Sequence, residues 1–242
     1  MRALFIHGIE DQGSSWEQTT AALARSFDCV TPDFPWRMFT DFAWLKDRAP
    51  DEVVLAELER VRPELCVAHS FGALALIETL LSCPVDLRPR AIVLIAPFYL
   101  SETERLDWRL LDRTREEFTS LMRDSIVSRA YRAGRSISEE TVQSMVGKLM
   151  SGISPLAFTE LFGHFALMRR RRLEDLSVPG CLIGSEDDPG FAGDRARELS
   201  SRLGLDLTLL PGRDHFLHYT APETVADIIQ SLFALFVKDT RA

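Results

Sequence analysis

Ser70 is the residue of this sequence best placed to act as a nucleophile. It lies in the segment Ala68-His69-Ser70-Phe71-Gly72, between an apolar stretch that begins at Leu65 and a stretch suited to a helix. A serine at a sharp strand-to-helix turn is held in a strained backbone conformation that pushes its hydroxyl outward. A serine at that boundary can also simply cap a helix, so Ser70 requires partners elsewhere in the chain.

Candidate partners for Ser70 occur further along the chain. A serine hydroxyl attacks only when a base removes its proton and a third group orients that base. The acidic turn Glu186-Asp187-Asp188 follows one apolar stretch, and His215 lies in a turn-rich loop after the next. The residues therefore predict a serine, a carboxylate and a histidine at successive strand ends.

The elements that would position these residues alternate along the chain. We predict strands at residues 3–6, 28–31, 65–69, 91–96, 181–184 and 205–210, and helices at residues 16–26, 51–60, 70–82 and 222–236. Strands that are apolar throughout and alternate with helices indicate a mainly parallel sheet that is covered on both faces. The predicted fold class is therefore α/β.

The alternation is interrupted between residues 98 and 178, where the sequence shows helical patterns only. Helices are predicted at residues 115–131, 138–150 and 155–170. We interpret residues 98–178 as a helical cap on a core domain formed by residues 1–97 and 179–242. Ligands of open α/β sheets bind at the carboxyl edge, so a cap over that edge would exclude water and shape a pocket.

The composition narrows the class of protein. The chain has 242 residues, 46% of them hydrophobic, and a formal net charge of -8, which argues against binding to nucleic acid or to an anionic membrane. No apolar stretch is long enough for a membrane helix or a secretory signal, and the four cysteines form no CxxC pair, so we expect free thiols and a cytoplasmic location. Phosphate-loop, dinucleotide and metal-binding motifs are absent from the sequence, which predicts no cofactor and no metal.

Four segments together resemble the α/β-hydrolase fold family, and in particular its carboxylesterase-like members with a helical cap. They are Leu4-Phe5-Ile6-His7-Gly8, Ala68-His69-Ser70-Phe71-Gly72, Gly184-Ser185-Glu186-Asp187, and His215-Phe216 before Pro222-Glu223. The order serine, aspartate, histidine is also that of the family. The chain departs from the family pattern at Ala68, where glycine is usual. It also lacks the two leading strands that are common in the family, so the resemblance implies a sheet of about six strands.

The resemblance implies a catalytic role for three side chains. Ser70 would be the nucleophile, and His215 would act first as general base and then as general acid. The family's acid falls three residues after the glycine that ends its strand, which is Asp187 here, with Asp188 as the close competitor.

The resemblance also implies which residues surround the substrate. An oxyanion needs backbone donors aimed at it, and the family supplies them from the positions of Ile9 and Phe71. Gly8 would let that backbone approach the substrate closely. His218 is expected at the pocket wall or on the surface. Residues expected to bind substrate are His7, Gly8, Trp16, His69 and Phe98.

These observations predict a serine hydrolase that cleaves a carboxylic ester or thioester through an acyl-enzyme. Alternatives are a thioesterase or acyltransferase acting on carrier-bound acyl groups, another reaction of the same triad, and a non-hydrolytic binding or cyclisation scaffold. The run Arg169-Arg170-Arg171-Arg172 has two interpretations. It is either a solvated helix end, where cations complement the helix dipole, or a docking patch for an acyl-carrier protein or coenzyme A.

Overall fold

A six-stranded sheet, parallel throughout, forms the centre of the molecule. The computed structural model of the chain describes residues 1–37, 40, 43–153, 155–212 and 214–239. The strands lie in the order β2-β1-β3-β4-β5-β6. They are β1 (Arg2–Ile6), β2 (Asp28–Val30), β3 (Leu65–His69), β4 (Ala91–Ile95), β5 (Gly180–Ser185) and β6 (Asp206–Leu210). The predicted α/β class and the number of strands are confirmed.

The burial of the strands follows their place in the sheet. Every residue of β3 and β4 is buried, as expected of apolar strands that are covered on both faces. The edge strands β2 and β6 are only partly buried, and each begins with an exposed aspartate. The strand order reverses direction between β1 and β3, because β2 lies on one side of β1 and the later strands on the other. This switch point is where open α/β sheets bind their ligands.

Helices connect the strands and supply the remaining layers. The α-helices are α1 (Glu17–Leu23), α2 (Pro50–Val61), α3 (Ser70–Ser82), α4 (Trp108–Arg132), α5 (Glu139–Gly152), α6 (Pro155–Met168), α7 (Gly193–Leu203), α8 (Leu217–Thr220) and α9 (Pro222–Asp239). Helix α1 packs against α9, and α2 packs against α3. None of the helices in the described part of the chain combines the length and the apolar character needed to cross a bilayer.

Three long helices, α4, α5 and α6, occupy the segment between β4 and β5. Helix α4 begins at Trp108 rather than at residue 115, because the side chain of Asp107 accepts a hydrogen bond from the Leu110 N–H and caps the helix. Ser138 caps α5 in the same way. Apolar side chains of all three helices belong to the same buried cluster as the sheet. The division of the chain into a core domain and a cap stays an interpretation.

Candidate active site

Ser70 lies at the turn between β3 and α3, as the first residue of the helix. Its φ is +50°, in the left-handed region that a residue with a side chain adopts only when its surroundings enforce it. The turn is tight because α3 begins against β1. A Cβ on Gly72 would lie 2.4 Å from the carbonyl oxygen of His7, so only glycine fits there. Ala68, the departure from the family pattern, is a buried residue of β3 between two neighbouring strands.

Ser70, His215 and Asp188 form a continuous hydrogen-bonded chain. The Ser70 Oγ lies 2.9 Å from His215 Nε2, and His215 Nδ1 lies 2.8 Å from Asp188 Oδ2. All three residues are at least 95% buried. Because the carboxylate can only accept, the proton sits on Nδ1, and the lone pair on Nε2 accepts the hydroxyl of Ser70. This is the tautomer that a general base for a serine nucleophile requires.

The carboxylate that contacts His215 is Asp188, so the expectation for Asp187 is wrong. Asp187 is exposed, and its N–H donates to the carbonyl of Gly212. The reason is the turn at the end of β5, which closes when the Asp188 N–H donates to the carbonyl of Ser185 at 3.3 Å. That turn directs Asp188 inward, where its second oxygen accepts the N–H of Gly190 at 2.7 Å.

The two residues whose N–H groups are expected to form an oxyanion hole both contribute to the cavity at Ser70. Ile9 and Phe71 line the same cavity as Ser70 and His215. The N–H of Phe71 is in the first turn of α3, where N–H groups have no carbonyl partner within the helix. A Cβ on Gly8 would lie 3.1 Å from the Ser70 Cβ. Glycine at this position therefore allows the loop that carries Ile9 to pack directly against Ser70.

A narrow apolar cavity lies against Ser70. Its walls come from the carboxyl edge of the sheet and from helices α4 and α6, so helices from the predicted cap cover this edge. Ten of the lining side chains are apolar, and six of those are phenylalanines. The lining residues are Ile9, His69, Ser70, Phe71, Phe98, Thr114, Phe118, Leu121, Met122, Phe158, Leu161, Phe165, His215 and Phe216.

The residues expected to bind substrate divide into two groups. His69 and Phe98 line the cavity, whereas His7, Gly8 and Trp16 are not among the described residues that line it. His7 is buried, with Nδ1 donating to the carbonyl of Gly8 at 2.8 Å and Nε2 accepting a backbone N–H at 2.9 Å. Trp16 is buried with its ring 4.5 Å from that of His218. The rings of His7 and Trp16 are packed in the core, so these two side chains lie behind the site and do not line the cavity.

A buried polar cluster around Asp11 lies behind the cavity. The Asp11 Oδ1 accepts hydrogen bonds from Arg129 Nη2 at 2.9 Å and from the Tyr219 hydroxyl at 2.7 Å. Its Oδ2 lies 3.3 Å from Nε2 of His218, which is fully buried and not at the surface or the cavity wall as expected. This cluster was not predicted from the sequence. The only local signal was an aspartate three residues after Gly8.

The electrostatics of this cluster favour a charged aspartate beside neutral histidines. Burial alone would raise the pKa of Asp11, but the hydrogen bond from His218 and the charge of Arg129 hold that pKa well below its usual range. Burial lowers the pKa of both His218 and His69. Among the described residues, Asp11, His69 and His218 are the one group of three whose potential metal-ligand atoms all lie within 4.8 Å of one another. A cation there would be repelled by the guanidinium of Arg129, and Asp11 is already hydrogen-bonded to His218.

The arginine run follows the end of α6. Arg170, Arg171 and Arg172 are exposed, and the guanidinium of Arg169 donates to the carbonyl of Glu102. Arg169 and Arg170 line an open groove of about 630 Å³ together with Arg105.

Comparison with known proteins identifies one protein family and several solved structures that are similar to this chain. A protein-family model described as "Alpha/beta hydrolase family" matches residues 3–228. No curated protein matches the chain. Three solved structures of similar fold illustrate the range of neighbours. A monoacylglycerol lipase from Paleococcus ferrophilus has a TM-score of 0.64 and 13% identity, over 94% of this chain and 91% of its own.

The other two neighbours are a hydrolase and a thioesterase. The hydrolase olei00960 from Oleispira antarctica has a TM-score of 0.61 and 18% identity, over 98% of this chain and 90% of its own. The thioesterase domain from the curacin biosynthetic pathway has a TM-score of 0.58 and 18% identity, over 95% and 90%. At these identities the likeness concerns the fold alone.

Proposed function

Because the chain belongs to the alpha/beta hydrolase family, we propose that it is a serine hydrolase that cleaves carboxylic esters or thioesters of apolar acyl groups through an acyl-enzyme. The observation that carries the proposal is the hydrogen-bonded chain from Ser70 through His215 to Asp188, with distances of 2.9 and 2.8 Å. A serine that only capped a helix would not need a buried histidine and carboxylate aligned behind it.

Acylation begins at the Ser70 hydroxyl. His215 Nε2 takes the hydroxyl proton while Oγ forms a bond to the carbonyl carbon of the ester. The carbonyl π electrons move to the oxygen, and the N–H groups of Ile9 and Phe71 stabilise that oxyanion. When the oxyanion collapses, the bond to the leaving oxygen or sulfur breaks, and His215 returns its proton to the leaving group. Asp188 stabilises the imidazolium during both steps.

Deacylation repeats these steps with water. His215 Nε2 removes a proton from a water molecule, whose oxygen attacks the acyl carbon. The second oxyanion accepts hydrogen bonds from the same N–H groups. Its collapse breaks the bond to Ser70 Oγ, which regains the proton from His215, and the carboxylic acid leaves. The ester and one water molecule are the reactants that balance these steps.

The two cavities beside His215 suggest how the substrate is oriented. The apolar cavity suits the acyl group in its chemistry, because its walls offer almost no hydrogen-bond partners. A second cavity of about 380 Å³ shares Leu121, His215 and Phe216 with the first, and Asp124 and Asp214 also line it. We assign this more polar cavity to the leaving group and to the attacking water.

A fluorophosphonate probe tests the nucleophile. We expect the probe to label the wild-type chain on the peptide that contains Ser70, and mass spectrometry identifies that peptide. Ser70→Ala should abolish both labelling and hydrolysis of p-nitrophenyl esters from acetyl to dodecanoyl. The reason is that no other hydroxyl lies within reach of His215 Nε2 in the described residues.

The matched control is Ser151→Ala, which removes an exposed serine of α5. This variant should label and turn over like the wild type. A folded wild-type chain that neither labels nor hydrolyses any ester of the series would contradict the proposal. Ligand binding without turnover, retained in Ser70→Ala, would instead favour the non-hydrolytic scaffold.

Carrier-bound thioesters form a second candidate substrate class, and the groove at Arg169 and Arg170 is the observation that favours it. Two of the glutamates that line the groove are already paired, Glu102 with Arg202 and Glu104 with other arginines. Arg169 and Arg170 form no ion pair with a carboxylate among the described residues, so their charges can serve an anionic carrier. The groove and the apolar cavity are both lined by helix α6, which contributes Ala166 to the groove and Phe165 to the cavity.

The double variant Arg169→Ala/Arg170→Ala tests carrier docking. We expect it to raise KM for an acyl-carrier-protein thioester by roughly tenfold while leaving small esters unchanged, because only the carrier is steered by these charges. Arg171→Ala, an exposed arginine of the same run outside the groove, is the control. If the wild type, the double variant and Arg171→Ala have equal KM values for the acyl-carrier-protein thioester, the arginine run is a solvated helix end and not a docking patch.

A further inference from the structure

Asp11 is a buried carboxylate to which the proposed reaction gives no chemical step. It is only 1% exposed and lies two residues after Ile9, the expected oxyanion donor. Its oxygens lie 2.9 Å from Arg129 Nη2, 2.7 Å from the Tyr219 hydroxyl and 3.3 Å from His218 Nε2. Burial of a charge is unfavourable unless the charge is paired and hydrogen-bonded. The loop after β1 therefore depends on these partners to keep Asp11 in place.

The partners of Asp11 come from two elements that frame the active site. Arg129 belongs to α4, the helix that contributes Met122 to the apolar cavity. Tyr219 belongs to α8, which begins two residues after His215. The Arg129 guanidinium also lies over the Tyr219 ring, 5.4 Å from its centroid. Asp11 thus connects the loop after β1, which carries Ile9, to α4 through Arg129. It also connects that loop to α8, which follows His215, through Tyr219.

The backbone between Ile9 and Asp11 is strained. Glu10 has a φ of +55° although it is not glycine, and it is 3% exposed. Its N–H donates to the carbonyl of Trp36 at 2.9 Å, and its carbonyl accepts from Arg129 Nη2 at 3.5 Å. A residue keeps such a conformation only where its surroundings over-determine it. Arg129 supplies two of these restraints, one on the Glu10 carbonyl and one on the Asp11 carboxylate.

We propose that the ion pair between Arg129 and Asp11 positions the N–H of Ile9 for the oxyanion, so that the oxyanion hole depends on the placement of α4. The inference rests on the proposed function, because it concerns the same reaction. Arg129 and Asp11 are positioning residues, since neither lines the site at Ser70. Loss of a whole oxyanion donor lowers kcat by about 10²–10³. Displacement of one donor should have a smaller effect of the same kind.

The test compares variants of Arg129 with a matched arginine of the same helix. Arg129→Met should lower kcat for p-nitrophenyl esters by roughly ten- to a hundredfold with little change in KM, and Arg129→Lys should recover part of that loss. The control is Arg123→Met, because Arg123 forms an exposed ion pair with Glu139 on α5. Its kcat should stay within about twofold of the wild type.

A transition-state analogue separates positioning from general loss of structure. A trifluoromethyl ketone forms a tetrahedral oxyanion on Ser70. The methyl ketone with the same alkyl group measures how tightly that alkyl group binds when no oxyanion is formed. Arg129→Met should weaken the trifluoromethyl ketone by the same factor as kcat/KM and leave the methyl ketone unchanged. If Arg129→Met does not fold, Arg129→Lys and Asp11→Asn carry the same comparison.

The failure of this inference differs from the failure of the proposed function. If the wild-type chain shows no hydrolysis, or only hydrolysis that persists in Ser70→Ala, the proposed function is contradicted. An active wild type whose folded Arg129 variants match Arg123→Met in kcat and in affinity for the trifluoromethyl ketone overturns the positioning role. Equal weakening of both ketones would also overturn it, because it would reduce Arg129 to an anchor of α4.

Discussion

Asp188→Asn is expected to lower kcat for ester hydrolysis about 10⁴-fold with little change in KM. The carboxylate of Asp188 accepts the Nδ1 proton of His215 at 2.8 Å and so keeps Nε2 free to receive the proton of Ser70. An asparagine amide can donate to Nδ1 instead, which leaves the proton on Nε2 and makes the histidine unable to act as a base. Steady-state kinetics with a p-nitrophenyl ester measures the loss.

Asp187→Asn is the matched control, because it changes the neighbouring carboxylate in the same way. Asp187 is exposed and contributes a backbone N–H to the turn, so its variant should keep kcat within about twofold of the wild type. The reverse pattern, with a large loss in Asp187→Asn and none in Asp188→Asn, would show that the acid reaches His215 through a different turn. Similar small effects in both variants would remove the carboxylate from the mechanism.

The sheet and the pairing of Ser70 with His215 could be predicted because their signals are local and strong. Apolar segments such as β3 and β4 are readable as buried strands, and the ends of parallel strands meet at one edge. Helix α7 was not predicted, because it is largely polar and buries only a narrow stripe that includes Ala196 and Leu199.

The details of the site that could not be predicted depend on single turns and on distant contacts. The choice between Asp187 and Asp188 depends on the backbone hydrogen bond that closes the turn after β5, which spacing in the sequence does not encode. The partners of Asp11 are separated from it by 118 positions for Arg129 and 207 for His218. Only the folded chain brings these groups together.

The free energy of unfolding should fall as the pH is lowered from about 7.5 to about 5.5, and three buried histidines are the cause. His7, His69 and His218 have lowered pKa values, in each case chiefly because burial disfavours the imidazolium. In the unfolded chain a histidine has a pKa near 6.5 and takes up a proton at a higher pH than the folded chain does. The stability from neutral histidines is therefore complete above that pH and is lost as the pH falls towards the folded pKa.

The expected slope is large enough to measure by urea unfolding. Each histidine contributes up to about 1.4 kcal/mol per pH unit, so the three together contribute up to about 4 kcal/mol per pH unit. His69→Gln should reduce the slope, because an amide can still donate to the His215 carbonyl, as Nε2 of His69 does at 2.9 Å, but does not titrate. An unfolding free energy that stays constant from pH 7.5 to 5.5 would mean that these histidines take up protons over the same pH range in the folded and the unfolded chain. Asp11 acts in a separate window, because a lowered carboxylate pKa removes stability only as the pH falls below about 4.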